Sequence, residues 1–173
     1  MWQKALNNGL VGGLVSIALT LIGALTGIND PIRGGGSFAG SAIFSVIGIA
    51  VTIFFIRRAM IQFRDEDNGG VLSYGQGLGV GILTAIVMAL VGALYILLHL
   101  SFIDTEALDF LKAENIAQME KSGISEDQIE KSETYLNLVF SKIGFTVLAF
   151  FLSTFYSFII SLIVAAITKR DAA

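Results

Sequence analysis

Few side chains in this sequence are of a type that does chemistry, and those few are scattered. His99 is the single histidine, and cysteine is absent. A histidine set between a carboxylate and a hydroxyl would begin a hydrolytic triad, but no acid–nucleophile spacing around His99 stands out. Thiolate chemistry, disulfides and cysteine-held metals are excluded, and a zinc site would have to be almost wholly carboxylate. The sequence therefore predicts no catalytic residue, no metal and no cofactor. Three polar residues remain as candidates. Asp30 and Arg33 share one turn and could hold a headgroup or pair with each other, and an outer-surface enzyme site would need them together with His99. For His99 an interfacial anchor beside Tyr95 is preferred to a proton or metal role.

Two motifs imitate binding sites and fail on inspection. Counted from Asp65 as a calcium loop, the fifth position is Gly69, where an oxygen ligand is required, and the twelfth is Gln76, where glutamate is required. Asp65-Glu66-Asp67-Asn68-Gly69-Gly70 is read as an exposed turn. The glycine ladder Gly75-Gln76-Gly77-Leu78-Gly79-Val80-Gly81 lacks the strand that a dinucleotide fingerprint needs and the pore helix that a selectivity filter needs. Close packing where a helix begins is the preferred reading.

The elements that must position these residues are easier to read. Four windows, 5–29, 34–56, 68–103 and 143–168, contain no Asp, Glu, Lys or Arg. A helix needs roughly 20 mainly apolar residues to cross about 30 Å of hydrocarbon, and each window holds such a run. The composition agrees. Of 173 residues 54% are hydrophobic and only 14% charged, against about 25% charged in soluble domains, and mean hydropathy is +0.77. The predicted fold is an all-α membrane protein, a single domain over 1–173 with four transmembrane helices in a compact bundle. Approximate spans are 6–28, 36–58, 76–100 and 143–168. The first apolar run is longer than a signal-peptide core and lacks an A-x-A site, so a retained span is expected.

Four spans place both termini and the second connection on one side. That side carries Lys4, Arg57, Arg58, Arg64, Lys169 and Arg170. Short-loop Lys/Arg bias puts it in the cytoplasm. The first connection, Asn29-Asp30-Pro31-Ile32-Arg33-Gly34-Gly35-Gly36, is a tight outer turn. The third, 104–142, carries nine acidic residues against four lysines. Asp104 or Thr105 can cap a helix with Leu108, Leu111 and Met119 near one face. Ser122-Gly123 breaks it, and Ser125 with Gln128 forms a capping box flanked by Ile124 and Ile129. The predicted result is an acidic helical hairpin whose second helix runs through Tyr135 and Phe140 into the fourth span. Leu108, Leu111 and Met119 are its expected partner surface.

Small residues recur every four positions in each span: Gly12, Ser16, Thr20 and Ala24; Ser37, Ser41 and Ser45; Gly77, Gly81, Ala85, Ala89 and Ala93; Ala149, Ser153, Ser157, Ser161 and Ala165. Lipid offers no hydrophobic drive for helix association, so small faces let backbones approach and gain contact. Gly12, Ser16, Ser41, Ser45, Gly77, Gly81, Ala85, Ser153, Ser157 and Ser161 are the packing candidates. A pore lined by hydroxyls is the alternative, weakened because such hydroxyls can bond back to their own helix. No ionisable group lies at hydrocarbon depth, which argues against a pump or coupled transporter. No basic cluster points to nucleic acid.

Several stretches together resemble a bacterial family of small four-span membrane proteins catalogued only as a domain of unknown function. They are Asn8-Gly9-Leu10-Val11-Gly12-Gly13, Phe63-Arg64-Asp65, Gly70-Val71-Leu72-Ser73-Tyr74-Gly75-Gln76-Gly77, Gly123-Ile124-Ser125-Glu126-Asp127-Gln128-Ile129-Glu130 and Ala165-Ala166-Ile167-Thr168-Lys169-Arg170. The resemblance implies a bacterial inner-membrane location and brings no substrate, activity or site residue. The expected function is a non-enzymatic multi-pass component that binds the lipid bilayer, a membrane partner protein or a second copy of itself. An uncoupled channel or facilitator for a small neutral solute is the alternative, and a membrane enzyme with an outer-surface site ranks third.

Overall fold

The computed structural model describes residues 1–30, 32–33 and 35–170. The expected turn proline, Pro31, and Gly34 lie outside the described residues. Four helices are long and apolar enough to cross a membrane: α1 (Trp2–Leu25), α2 (Phe38–Gln62), α3 (Tyr74–Leu98) and α6 (Lys142–Thr168). Between the last two stand the short helices α4 (Ala107–Lys121) and α5 (Glu126–Val139). Single π-helical turns, Phe63–Asp67 and His99–Ile103, prolong α2 and α3 beyond their α-helical ends.

Local chemistry sets the helix starts. Ser37 Oγ accepts the Gly40 N–H at the head of α2, and Ser73 with Gln76 forms a reciprocal capping box at the head of α3. At the head of α5 the predicted pairing of Ser125 with Gln128 is present in one direction, Gln128 Oε1 accepting from the Ser125 N–H and Oγ. The helix does not run on into the fourth span, however. It ends at Phe140, and Ser141 Oγ accepts the Gly144 N–H to begin α6 afresh. Gly144 is needed in that corner because a Cβ there would collide with the Leu138 carbonyl. Nor do Asp104 or Thr105 cap α4. The helix starts after Glu106 without a side-chain cap, because the Asp104 carboxylate is engaged by Arg33.

α3 is the centre of the bundle, packed along α6, α1 and α2, while α1 and α6 lie on its two flanks without extensive contact with each other. Both termini and the α2–α3 connection share one end. There the Leu72 and Arg170 backbones exchange hydrogen bonds of 2.8 and 2.9 Å, the N-terminal amine meets Asp67 at 3.2 Å and Lys4 pairs with Glu66. Of the run expected as an exposed turn, Asp65, Glu66 and Asp67 are exposed but form the ion-paired end of a helix, and the turn is confined to Asn68-Gly69-Gly70. At the other end the first connection is a two-strand ladder, β1 (Asn29–Asp30) against β2 (Gly35–Gly36), with Gly36 at φ 111°. α4 and α5 form the acidic hairpin over it.

Candidate functional site

The four spans do not pack equally along their length. Toward the termini end a dry cluster joins Ile56, Ala59, Met60 and Phe63 of α2 and its π turn to Leu72, Val80, Ala85, Ile160, Val164 and Ala165. Its closeness rests on glycine. A Cβ on Gly81 would sit 2.5 Å from Met60 Cε and 2.9 Å from Ser161 Oγ, and one on Gly9 or Gly13 would meet Val87 at 2.5 Å or Val91 at 2.7 Å. Gly75 and Gly79 of the same ladder face open space, so only alternate members of the motif, Gly77 and Gly81, serve the seam.

Toward the hairpin end α1 and α2 stay close at Gly23 and Gly40, but α1, α3 and α6 part and two adjoining cavities open between them. One, of about 200 Å³, lies near mid-span and is lined by Ser16, Thr52, Met88, Gly92, Ser153, Tyr156 and Ser157, among others. The second, of about 240 Å³, continues toward the hairpin between Ile17 and Thr20 of α1, Tyr95 of α3 and Phe145 of α6. Ser16, Gly92, Ile96 and Ala149 line both. A Cβ on Gly92 would meet nothing within 4 Å, so this glycine leaves space rather than filling a seam.

The packing candidates thus fall into two environments. Gly12, Gly77, Gly81, Ala85 and Ser161 are buried among neighbouring helices, with Ser161 fully enclosed and its Oγ donating to the Ser157 carbonyl at 2.8 Å. Ser16 donates to the Gly12 carbonyl at 2.9 Å and faces the cavities. Ser157 is buried, and Ser153 is exposed, on the cavity wall. Ser41 is half-buried, and the exposed Ser45, which bonds back to the Ser41 carbonyl, lines a further space of about 220 Å³ between α1 and α2 rather than a tight seam.

The polar candidates at the hairpin end are not gathered into one catalytic group. The Asp30 carboxylate accepts the Ile32 and Arg33 backbone N–H groups at 3.0 and 3.1 Å, which shapes its own turn. Arg33 reaches instead to Asp104, with Nε and Nη2 each donating at 2.5 Å, and its guanidinium stands 5.5 Å from the Phe110 ring centre. The hydrogen bonds from Arg33 hold the Asp104 carboxyl below its ordinary range against the opposing effect of burial, while the bond to Asp104 raises the Arg33 guanidinium. His99 Nδ1 lies 3.1 Å from the Tyr95 hydroxyl. Beneath the ion pair, Ile32, Leu100, Ala107 and Leu108 form a second core, with Leu111 and Phe145 against it. Leu108 and Leu111, expected to face a partner, are therefore turned into the protein's own bundle.

Sequence reasoning missed three parts of this region. Asp104 lies 71 positions from Arg33, beyond any local pattern. Thr52 and Gly92 fall outside the reading of small residues as seams, and a glycine without neighbours cannot be told from a packed one by spacing. Among the described residues no three His, Asp or Glu side chains converge to hold a metal ion.

A multi-pass α-helical membrane protein with one sealed end and one cleft end is what these elements define. The chain belongs to the family described as "Protein of unknown function (DUF4199)", which matches residues 7–170. No curated protein and no solved structure matches it.

Proposed function

We propose that this chain is a non-enzymatic component of a bacterial inner membrane that binds an apolar membrane molecule in the cleft between α1, α3 and α6. The observation that carries this reading is the asymmetry of the bundle. Between α1, α3 and α6, helices that close on Gly9, Gly77 and Gly81 toward the termini leave adjoining, partly hydroxyl-lined cavities of about 200 and 240 Å³ toward the hairpin, while α1 and α2 stay close there at Gly23 and Gly40. Together these reach the lower range of roughly 300–1,000 Å³ in which small-molecule sites fall. The hairpin, fastened by Arg33–Asp104 and the Leu108 core, roofs the region. The exposed Arg57 and Arg58, with Lys4 and Arg170 at the same end, support cytoplasmic termini.

The facilitator reading is less well supported. It needs Ser153, Ser157 and Ser161 along one lumen, and Ser161 is enclosed beside Gly81 and Met60. The enzyme reading needs Asp30, Arg33 and His99 to converge, and each has another partner.

A phosphatidylcholine carrying a diazirine near its chain terminus tests the proposal in reconstituted membranes. Photolabel on peptides holding Ser16, Gly92 and Ala149 is the expected result. Label confined to outward side chains such as Phe151, Leu152 and Ile163 would overturn it. Orientation is checked by a cysteine placed at Ser132 in this cysteine-free chain, which a membrane-impermeant maleimide should reach from outside intact cells.

A further inference from the structure

Resting on the cleft reading above, we infer that the ligand is a neutral apolar molecule carrying a carbonyl acceptor to the middle of the membrane, the chemistry of a quinone rather than of a glycerolipid. The inference starts from Ser157. Its side chain is only 8% exposed and lines the mid-span cavity, yet among the described residues its hydroxyl has no hydrogen-bond partner. Serines inside helices usually return their proton to the carbonyl one turn back. Ser16, Thr52 and Ser161 each do so, bonding to Gly12, Gly48 and Ser157. Ser157 does not, so α6 presents a free donor to a nearly dry space. The Ser157 hydroxyl opens onto the cavity, so its proton is available to an acceptor on a molecule bound there.

The neighbours narrow the ligand's chemistry. Ser153 and Tyr156 on the same wall are likewise without partners among the described residues, whereas Ser16 and Thr52 opposite have spent their protons on backbone carbonyls. The hydroxyls on this wall that still have a proton to give belong to α6, so a carbonyl, which can only accept, finds its partners there. Met88 and Phe150 complete a wall that suits a flat ring. No charged side chain lines either cavity, which excludes a carboxylate or phosphate headgroup at this depth.

Depth separates the carbonyl sources. Ser157 lies 15 residues from the start of α6 and 11 from its end, or about 22 and 16 Å along the axis. Glycerolipid ester carbonyls belong at the interface, so a glycerolipid could put only its chain beside Ser157. A ring carbonyl on an apolar tail can travel to the midplane, and the second cavity gives that tail a path between Ile17 and Phe145 toward the hairpin end.

The test uses the full chain in phosphatidylcholine nanodiscs with decylubiquinone as the probe and the diazirine lipid as competitor. Saturable binding that displaces the photolabel from the Ser16, Gly92 and Ala149 peptides is expected. S157A should then weaken decylubiquinone binding about 2- to 10-fold, the worth of one neutral hydrogen bond, and S161A should leave it unchanged. S157A removes a hydroxyl that bonds to nothing in the chain, so its fold should persist, as an unshifted melting temperature would show. Cleft labelling that decylubiquinone does not displace, or binding that S157A leaves unaltered, would overturn this inference while the cleft reading stands. Absence of label from the cleft would remove both.

Discussion

The two halves of the bundle use the same helices and the same small-residue rows, yet one is sealed and the other open. At the termini end the small residues of the seam face side chains that reach into the space they leave: Gly81 receives Met60, and Gly77 lies against Ala165. At the hairpin end Tyr95, Phe145 and Phe150 stand between helices that would otherwise close. Small residues permit close approach only where both faces allow it, and one large side chain holds two backbones apart. The lesson is that a row of small residues states what a helix can do, while the facing helix decides whether it happens.

Substitutions can break this contrast. The largest effect is expected from Gly81→Leu, which drives a branched side chain into Met60 and Ser161 and should cost about 1–3 kcal/mol or more through overpacking. Unfolding in detergent would read it, and an unshifted midpoint would mean that the sealed half is not sealed.

Next comes Arg33→Ala. It removes both hydrogen bonds to Asp104 and the contact with Phe110, so amide exchange across Ala107–Val139 should rise several-fold while the Ile56–Val164 core stays protected. Equal protection in both regions would show that the hairpin is held by its apolar core alone.

The same pair sets a smaller, pH-dependent effect. Asp104 has its folded pKa depressed, so its contribution is present above the unfolded value of about 3.9 and fades as pH falls through the lower folded value. Hairpin protection should stay level from neutral pH down to about 4 and decline only below it. Loss between pH 7 and 5 would show that Asp104 does not set the effect.

Smallest of all, Gly92→Leu should change stability by no more than about 0.5 kcal/mol, because its side chain enters open space. It should nevertheless exclude the photoreactive lipid from the cleft. A destabilisation matching that of Gly81→Leu would erase the distinction between the halves.

Much of this was legible in the chain. The four spans, the pairing of Ser125 with Gln128 at the head of α5 and the Gly123 break follow from local rules, because charge, capping side chains and backbone freedom act within a few residues. The exposure of Asp65–Asp67 was legible, but its ion pairs were not, because the partners, the N-terminal amine and Lys4, are more than 60 positions away. Met60, the residue that fills the space left by Gly81, likewise carries no local signal. Of the candidate site, the hydroxyl rows were visible, but not which hydroxyls face a cavity.

By itself, then, the sequence determined that this is an all-α membrane protein with four spans and an acidic helical hairpin. Those properties depend on the solvent each segment requires and on hydrogen bonds close along the chain. Only the tertiary structure decided that Arg33 fastens Asp104, that Leu108 turns inward, and that Ser161 is enclosed while Ser157, one turn away, looks into a cavity. Ser157 and Ser161 have the same chemistry and the same periodic position. What separates them is the shape of the helix opposite, and shape arises only when distant segments meet.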